Sequence, residues 1–179
     1  MQALPALMGN SVGMAADPTA EKPGTVDRTR TRRHLPHWEE PGTTYFITFC
    51  LARGVRADLT RLEVAQILSG ALHYFAGERY DLYDHTIMPD HVHAIIKPMR
   101  RTDGSWEPLS RILHSIKSWT ANRVNEALGR RGALWQDETY DHVIRDEKDY
   151  DTKSEYIWLN PVVAGLVQRP EDWPWWGNG

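Results

Sequence analysis

Apolar and polar positions along the chain change period several times, and the changes mark out a succession of elements. After Pro41-Gly42, residues 43–52 read TTYFITFCLA, dense in aromatic and β-branched side chains, which predicts a first strand. The period then becomes helical. Over residues 59–75 the apolar positions Leu62, Ala65, Ile67, Leu68, Leu72 and Phe75 recur at helical spacing, and Thr60 with Glu63 has the form of a capping box. Residues 80–88 and 91–98 predict an antiparallel strand pair joined around Pro89-Asp90. Residues 108–128 predict a long amphipathic helix, with Leu109, Ile112, Leu113, Ile116, Trp119, Val124 and Leu128 on one side and Gly129 as terminator. A less regular strand is expected over 133–144. A last helix is expected over 147–159, ending or kinking at Pro161.

The order β-α-β-β-α-β-α predicts an α+β fold of the ferredoxin-like split βαβ type: an antiparallel sheet with helices on one face, plus a C-terminal helix. Residues 1–33 lack a sustained period and are rich in small residues, Pro and Gly, so they read as a mobile tail ending in a basic block, Arg28, Arg30, Arg32 and Arg33. The domain is expected over 34–169, followed by a Trp-rich tail over 170–179. Such a fold hosts many unrelated functions, so side chains must carry the functional argument.

Composition narrows the classes. The chain of 179 residues has 41% hydrophobic and 25% charged residues, an ordinary globular balance. No apolar run approaches the ~18 residues of a membrane span. No charged-then-apolar order at the start suggests a signal peptide. A single cysteine, Cys50, excludes an internal disulfide and a thiolate zinc cage, and an intracellular, cytoplasmic protein is expected. The formal charge of −3, from 21 Lys+Arg and 24 Asp+Glu, argues weakly against a nucleic-acid partner, although the sum hides the arginine block.

Two groupings can carry chemistry. In MPDHVHAIIKP, His91 and His93 are two apart on a strand and so project to one face, where paired imidazoles can grip a divalent metal. Taken alone, the pair reads more simply as two polar residues on an exposed sheet face. In DTKSEYIWLNPVVAGLV, Tyr156 and Asn160 are four apart, which on a helix sets a phenol beside a carboxamide. An isolated helical tyrosine is more often a packing residue, and nothing intrinsic marks Tyr156 over Tyr140 or Tyr150. His34, His37, His73, His85 and His114 have no partner at metal-ligand spacing and read as surface or packing residues. Lys117, Arg123 and Arg145 are candidate phosphate contacts, and the C-terminal tryptophans either stack on bases or dock the tail.

The segments MPDHVHAIIKP, SIKSWTANRVN, YDHVIRDEKDY and EYIWLNPVVAGLV, preceded by RRHLPHWEEPGTTYFITF, together closely resemble the REP-associated single-tyrosine transposases of bacteria, members of the HUH nucleases. The resemblance spans about residues 32 to 167. It implies that His91 and His93 are metal ligands, Asn160 a third ligand and Tyr156 the nucleophile, with Mg²⁺ or Mn²⁺ as the ion. The implied reaction is cleavage and rejoining of single-stranded DNA near hairpin-forming, REP-like palindromes through a 5′-phosphotyrosine intermediate. Arg28, Arg30, Arg32, Arg33 and Lys117 are expected to contact DNA. Resemblance alone leaves open a non-catalytic hairpin-binding protein on the same fold, a water-using metal hydrolase, and whether the protein is a monomer or a homodimer.

Overall fold

The structure, a computed structural model, describes residues 40–179. Arg28, Arg30, Arg32 and Arg33 lie outside the described residues, as do His34 and His37. The elements run β1 (Thr44–Cys50), α1 (Leu62–Tyr74), β2 (Tyr80–Ile87), β3 (His91–Pro98), α2 (Leu109–Ala127), β4 (Tyr140–Ile144), α3 (Glu147–Val163), a 3₁₀ turn (Pro170–Asp172) and β5 (Trp176–Gly177). The strands form one antiparallel sheet in the order β4-β1-β3-β2-β5. Its first four positions are those of the split βαβ arrangement, with β1 and β3 at the centre.

Strand alternation divides the sheet into two unlike faces. Tyr45, Ile47 and Phe49 of β1, with Val92, Ala94 and Ile96 of β3, pack on Leu68 and Leu72 of α1 and Ile112 and Ile116 of α2 in one large apolar cluster. The intervening residues face the other way. There Phe46, Ile95 and Ile144 meet Ile157 of α3, a much smaller cluster with Tyr83, Tyr150 and Trp176 around it. Thus α1 and α2 cover one face and α3 the opposite one.

Several local expectations change. Thr60 and Glu63 do not form a capping box: the Asp58 carboxylate accepts from both the Thr60 backbone N–H (2.9 Å) and its hydroxyl (2.5 Å), and α1 starts at Leu62 without a side-chain cap. On α2 the buried stripe turns through Thr120 rather than Trp119, which is 49% exposed. Thr120 is tolerated there because its hydroxyl donates to Ile116 O and accepts from Trp135 Nε1. Gly129 does end α2, at φ 60°. Over residues 133–139 the expected strand shrinks to one antiparallel bridge between Trp135 and Leu51; Leu134 and Trp135 are buried in the core, and β4 itself is Tyr140–Ile144.

Part of the last ten residues joins the sheet. β5 pairs with the edge of β2, Trp175 O accepts from Ile87 N, and Asn178 Nδ2 donates to the buried Asp84 carboxylate. Gly177 fits there because a Cβ would fall 2.4 Å from the His85 ring. A register shift in β2 between Leu82 and His85 lets both Tyr83 and Asp84 reach Tyr150 of α3, by ring contact and by hydrogen bond respectively.

Candidate active site

The polar part of the α3 face centres on β3. His91 and His93 emerge on the same side, and the cross-strand register sets Thr48 of β1 and Thr86 of β2 on either flank of His93. The two imidazoles turn their Nε2 atoms toward one another at 3.0 Å. Each ring is held from behind. His91 Nδ1 lies 2.7 Å from Asp90 Oδ1, a carboxylate that accepts the Nδ1 proton and so turns Nε2 toward the site. His93 Nδ1 lies 2.7 Å from Thr48 Oγ1.

His93 is 4% exposed, and burial, aided by the neighbouring His91, pushes its pKa down to about 3. It is therefore neutral at physiological pH, one ring nitrogen carrying the proton and the other a lone pair that can bind a ligand. Phe46 stacks on it at a centroid distance of 5.3 Å. Thr86 is wholly buried beside it with its hydroxyl unpaired among the described residues.

α3 brings the remaining groups. Asp146 caps it, accepting from Asp149 N at 2.8 Å, and Glu147 and Asp149 place acidic charge in the first turn, where the helix dipole favours it. Asp149 also accepts from His142 of β4 at 2.9 Å, tying the start of α3 to the sheet and holding its own carboxyl below the usual range, chiefly through that hydrogen bond. The helix does not end at Leu159. It continues through Pro161 to Val163, because Pro161 stands in the last turn, forfeits one hydrogen bond to the Ile157 carbonyl and is itself buried. Asn160 consequently stays helical, one turn beyond Tyr156 and on the same side.

The result is a cluster drawn from three elements. The Tyr156 ring meets His93 edge-on at 5.2 Å and Phe46 at 5.9 Å, while 48% of the residue remains exposed. Asn160 Nδ2 lies 3.5 Å from His93 Nε2. Two imidazole nitrogens and a carboxamide at one spot can hold an octahedral divalent cation with positions left for other oxygens. The set contains only two residues of the usual ligand types, and no group of three His, Cys, Asp or Glu forms a metal site among the described residues.

Lys117 stands apart from this cluster. Its ammonium donates to Gln136 O (2.7 Å), Asp137 O (3.0 Å) and Thr139 Oγ1 (3.1 Å), so its three protons pin the loop before β4. Burial lowers its pKa, against the pull of Asp137. Phe46, Thr48 and Asp90, by contrast, were not singled out by the sequence. Thr48 was accessible in principle, since it alternates with core residues on β1, but its partner depends on strand register.

Residues 46–159 match the family described as IS200-like transposases. A REP-associated tyrosine transposase of Escherichia coli K12 is 28% identical over 133 residues, covering 74% of each chain. A solved structure of a REP-associated tyrosine transposase bound to a REP hairpin superposes with a TM-score of 0.65 at 27% identity, covering 79% of this chain and 80% of that one.

Proposed function

Because the chain belongs to the IS200-like transposase family, we propose that it cleaves and rejoins single-stranded DNA beside hairpin-forming repeats, with Tyr156 as nucleophile. The observation that carries this reading is the convergence of Tyr156, His91, His93 and Asn160 on the α3 face of the sheet. The transposase of known structure that the chain resembles holds a REP hairpin, and a hairpin flanked by single strand is the substrate class proposed here.

His91, His93 and Asn160 would hold Mg²⁺ or Mn²⁺. The fit rests on donor chemistry: two imidazoles whose Nε2 atoms face one locus, each braced at its other nitrogen, and a carboxamide whose oxygen is on the same planar group. When bound, the ion supplies Lewis-acid neutralisation of charge on the phosphate oxygens and fixes the phosphate's orientation.

The protein's own groups do the rest. Tyr156 is presented from a helix anchored by Ile157 and Pro161, with its ring braced edge-on by Phe46 and His93, so the phenol's approach is set before substrate arrives. Its exposure leaves the phenol open to a strand. The Tyr156 oxygen attacks phosphorus and its proton passes to solvent; the bond from phosphorus to the 3′ oxygen breaks, and that oxygen is protonated. The products are a 5′-phosphotyrosyl protein and a free 3′-hydroxyl. One phosphodiester has replaced another, so a second 3′-hydroxyl reverses the step on a new strand without ATP.

The test is covalent trapping. A labelled hairpin oligonucleotide with single-stranded flanks, taken from palindromic repeats beside the gene, should form a denaturation-resistant adduct with Mn²⁺ or Mg²⁺. Tyr156→Phe should abolish the adduct while leaving hairpin affinity and melting temperature unchanged. Equal adduct formation by that variant refutes the assignment, and hairpin binding without any adduct establishes the non-catalytic binder instead.

A further inference from the structure

Lys153 lies one turn before Tyr156 on α3 and has no place in the reading above. Its ammonium stands 5.4 Å from the centroid of Phe46, the same ring that touches both His93 and Tyr156. No carboxylate among the described residues lies within ion-pair distance of it. The acidic residue one turn earlier, Asp149, accepts its hydrogen bonds from His142 and from the backbone at Arg145 and meets Lys153 only through longer-range attraction. A lysine resting on an aromatic face keeps its three N–H donors available to an anion, and the ring it rests on belongs to the candidate site.

We propose that Lys153 is a phosphate-binding residue of this site, its ammonium donating to a non-bridging oxygen of the phosphate that Tyr156 attacks. This rests on the nuclease reading for the identity of that phosphate. The spacing supports it: residues three apart on a helix are surface neighbours, so an oxygen on phosphorus at the Tyr156 hydroxyl is within reach of a flexible lysine stem pivoting on Phe46. On the sheet side the phosphate would meet the two imidazoles and Asn160; on the helix side it would meet Lys153. The ammonium exchanges no proton with Tyr156 or the leaving 3′ oxygen. Its work is to fix the phosphate and offset charge that grows on its oxygens as the new bond forms.

Two measurements on the full chain decide it. In a Tyr156→Phe background, which cannot turn over, Lys153→Met should flatten the dependence of log K on log salt for the flanked hairpin by about 0.7, one single-strand phosphate contact. In the protein retaining Tyr156, Lys153→Met should slow adduct formation about 100-fold, and Lys153→Arg should restore the salt slope and part of the rate. Methionine keeps the apolar stem over Phe46, so a merely structural role predicts an unchanged slope. An unchanged slope, or no strand binding at all, overturns the proposal. A flattened slope with undiminished adduct formation overturns the placement at the scissile phosphate. A flattened slope in a protein that forms no adduct even when unsubstituted upholds the phosphate contact and refutes the nuclease reading instead.

Discussion

The two faces of the sheet share one backbone and make opposite use of it. Toward α1 and α2, every second residue of β1 and β3 is apolar and closed to solvent. Toward α3, four buried apolar residues form a small brace, and the space around them is taken by His91, His93, Thr48, Asp84 and Tyr150, most of them hydrogen-bonded. One face supplies stability through area removed from water. The other can expose and partly bury polar groups because the first already holds the fold. Adjacent residues of a single strand therefore have different jobs, and substitutions can separate them.

The largest separation is expected at Ile47, which is wholly buried at the centre of the core face. Ile47→Ala should cost about 4 kcal/mol of stability by loss of transfer energy plus a cavity. Urea titration reads this as a lower midpoint at unchanged slope. In protein held well below its melting temperature, adduct formation should stay within about twofold. A comparable loss in adduct chemistry would mean that the faces are coupled through β1.

Alkaline titration tests the same division without mutation. Tyr80, on the core face, donates to Leu72 O at 2.6 Å, and burial raises its pKa to about 12; Tyr150, on the α3 face, donates to Asp84, and burial followed by that carboxylate raises it to about 12 as well. A folded-state value above the unfolded 10 means that the stabilising contribution is complete below pH 10 and is lost as pH rises from 10 through 12. For fully buried Tyr80 the loss approaches about 3 kcal/mol. Tyr80→Phe should remove most of the steepening of the stability profile above pH 10, and Tyr150→Phe a smaller part. If Tyr150→Phe removed the greater part, the α3 face would be the one that limits stability.

On the other side of the Ile47 backbone lies the next test. Thr48→Val keeps the shape and deletes only the hydroxyl that meets His93 Nδ1 at 2.7 Å. Stability should fall by about 1 kcal/mol. Affinity for Mn²⁺, measured by calorimetry, should fall about 10- to 100-fold, because a ligand ring without its brace loses orientation. Unchanged Mn²⁺ affinity would detach Thr48 from the site.

What could be read from the sequence follows from period. β3 was expected over 91–98 and is His91–Pro98, since alternation, a Pro-Asp turn and a closing proline all mark its ends. The same period put His91 with His93, and helical spacing put Tyr156 with Asn160. Their meeting was not visible, because it depends on the β1–β3 register and on α3 covering the second face. Lys153 and Phe46 escaped notice for that reason. Leu134 and Trp135 looked like strand, and their backbone does pair with the chain just past β1 through a single Leu51–Trp135 bridge, but the pairing is too short to make a strand. At Pro161 a local rule met a position where little helix remained to be broken, and the helix held.

The smallest expected effect is the most pointed about reading faces. Composition argues that a tryptophan within a helical stripe belongs in the core, yet Trp119 is 49% exposed while Thr120 beside it is fully buried. From Ile116 the next inward positions on a helix are 3 and 4 residues on, and Trp135 settles the choice by donating its indole N–H to Thr120 at 2.9 Å. Trp119 then needs only solvent and the Arg123 guanidinium, 5.9 Å from its ring. Trp119→Ala should change stability by less than about 0.5 kcal/mol, as surface substitutions do. A melting temperature lowered as far as by Ile47→Ala would place the indole against a core that the structure assigns to Thr120.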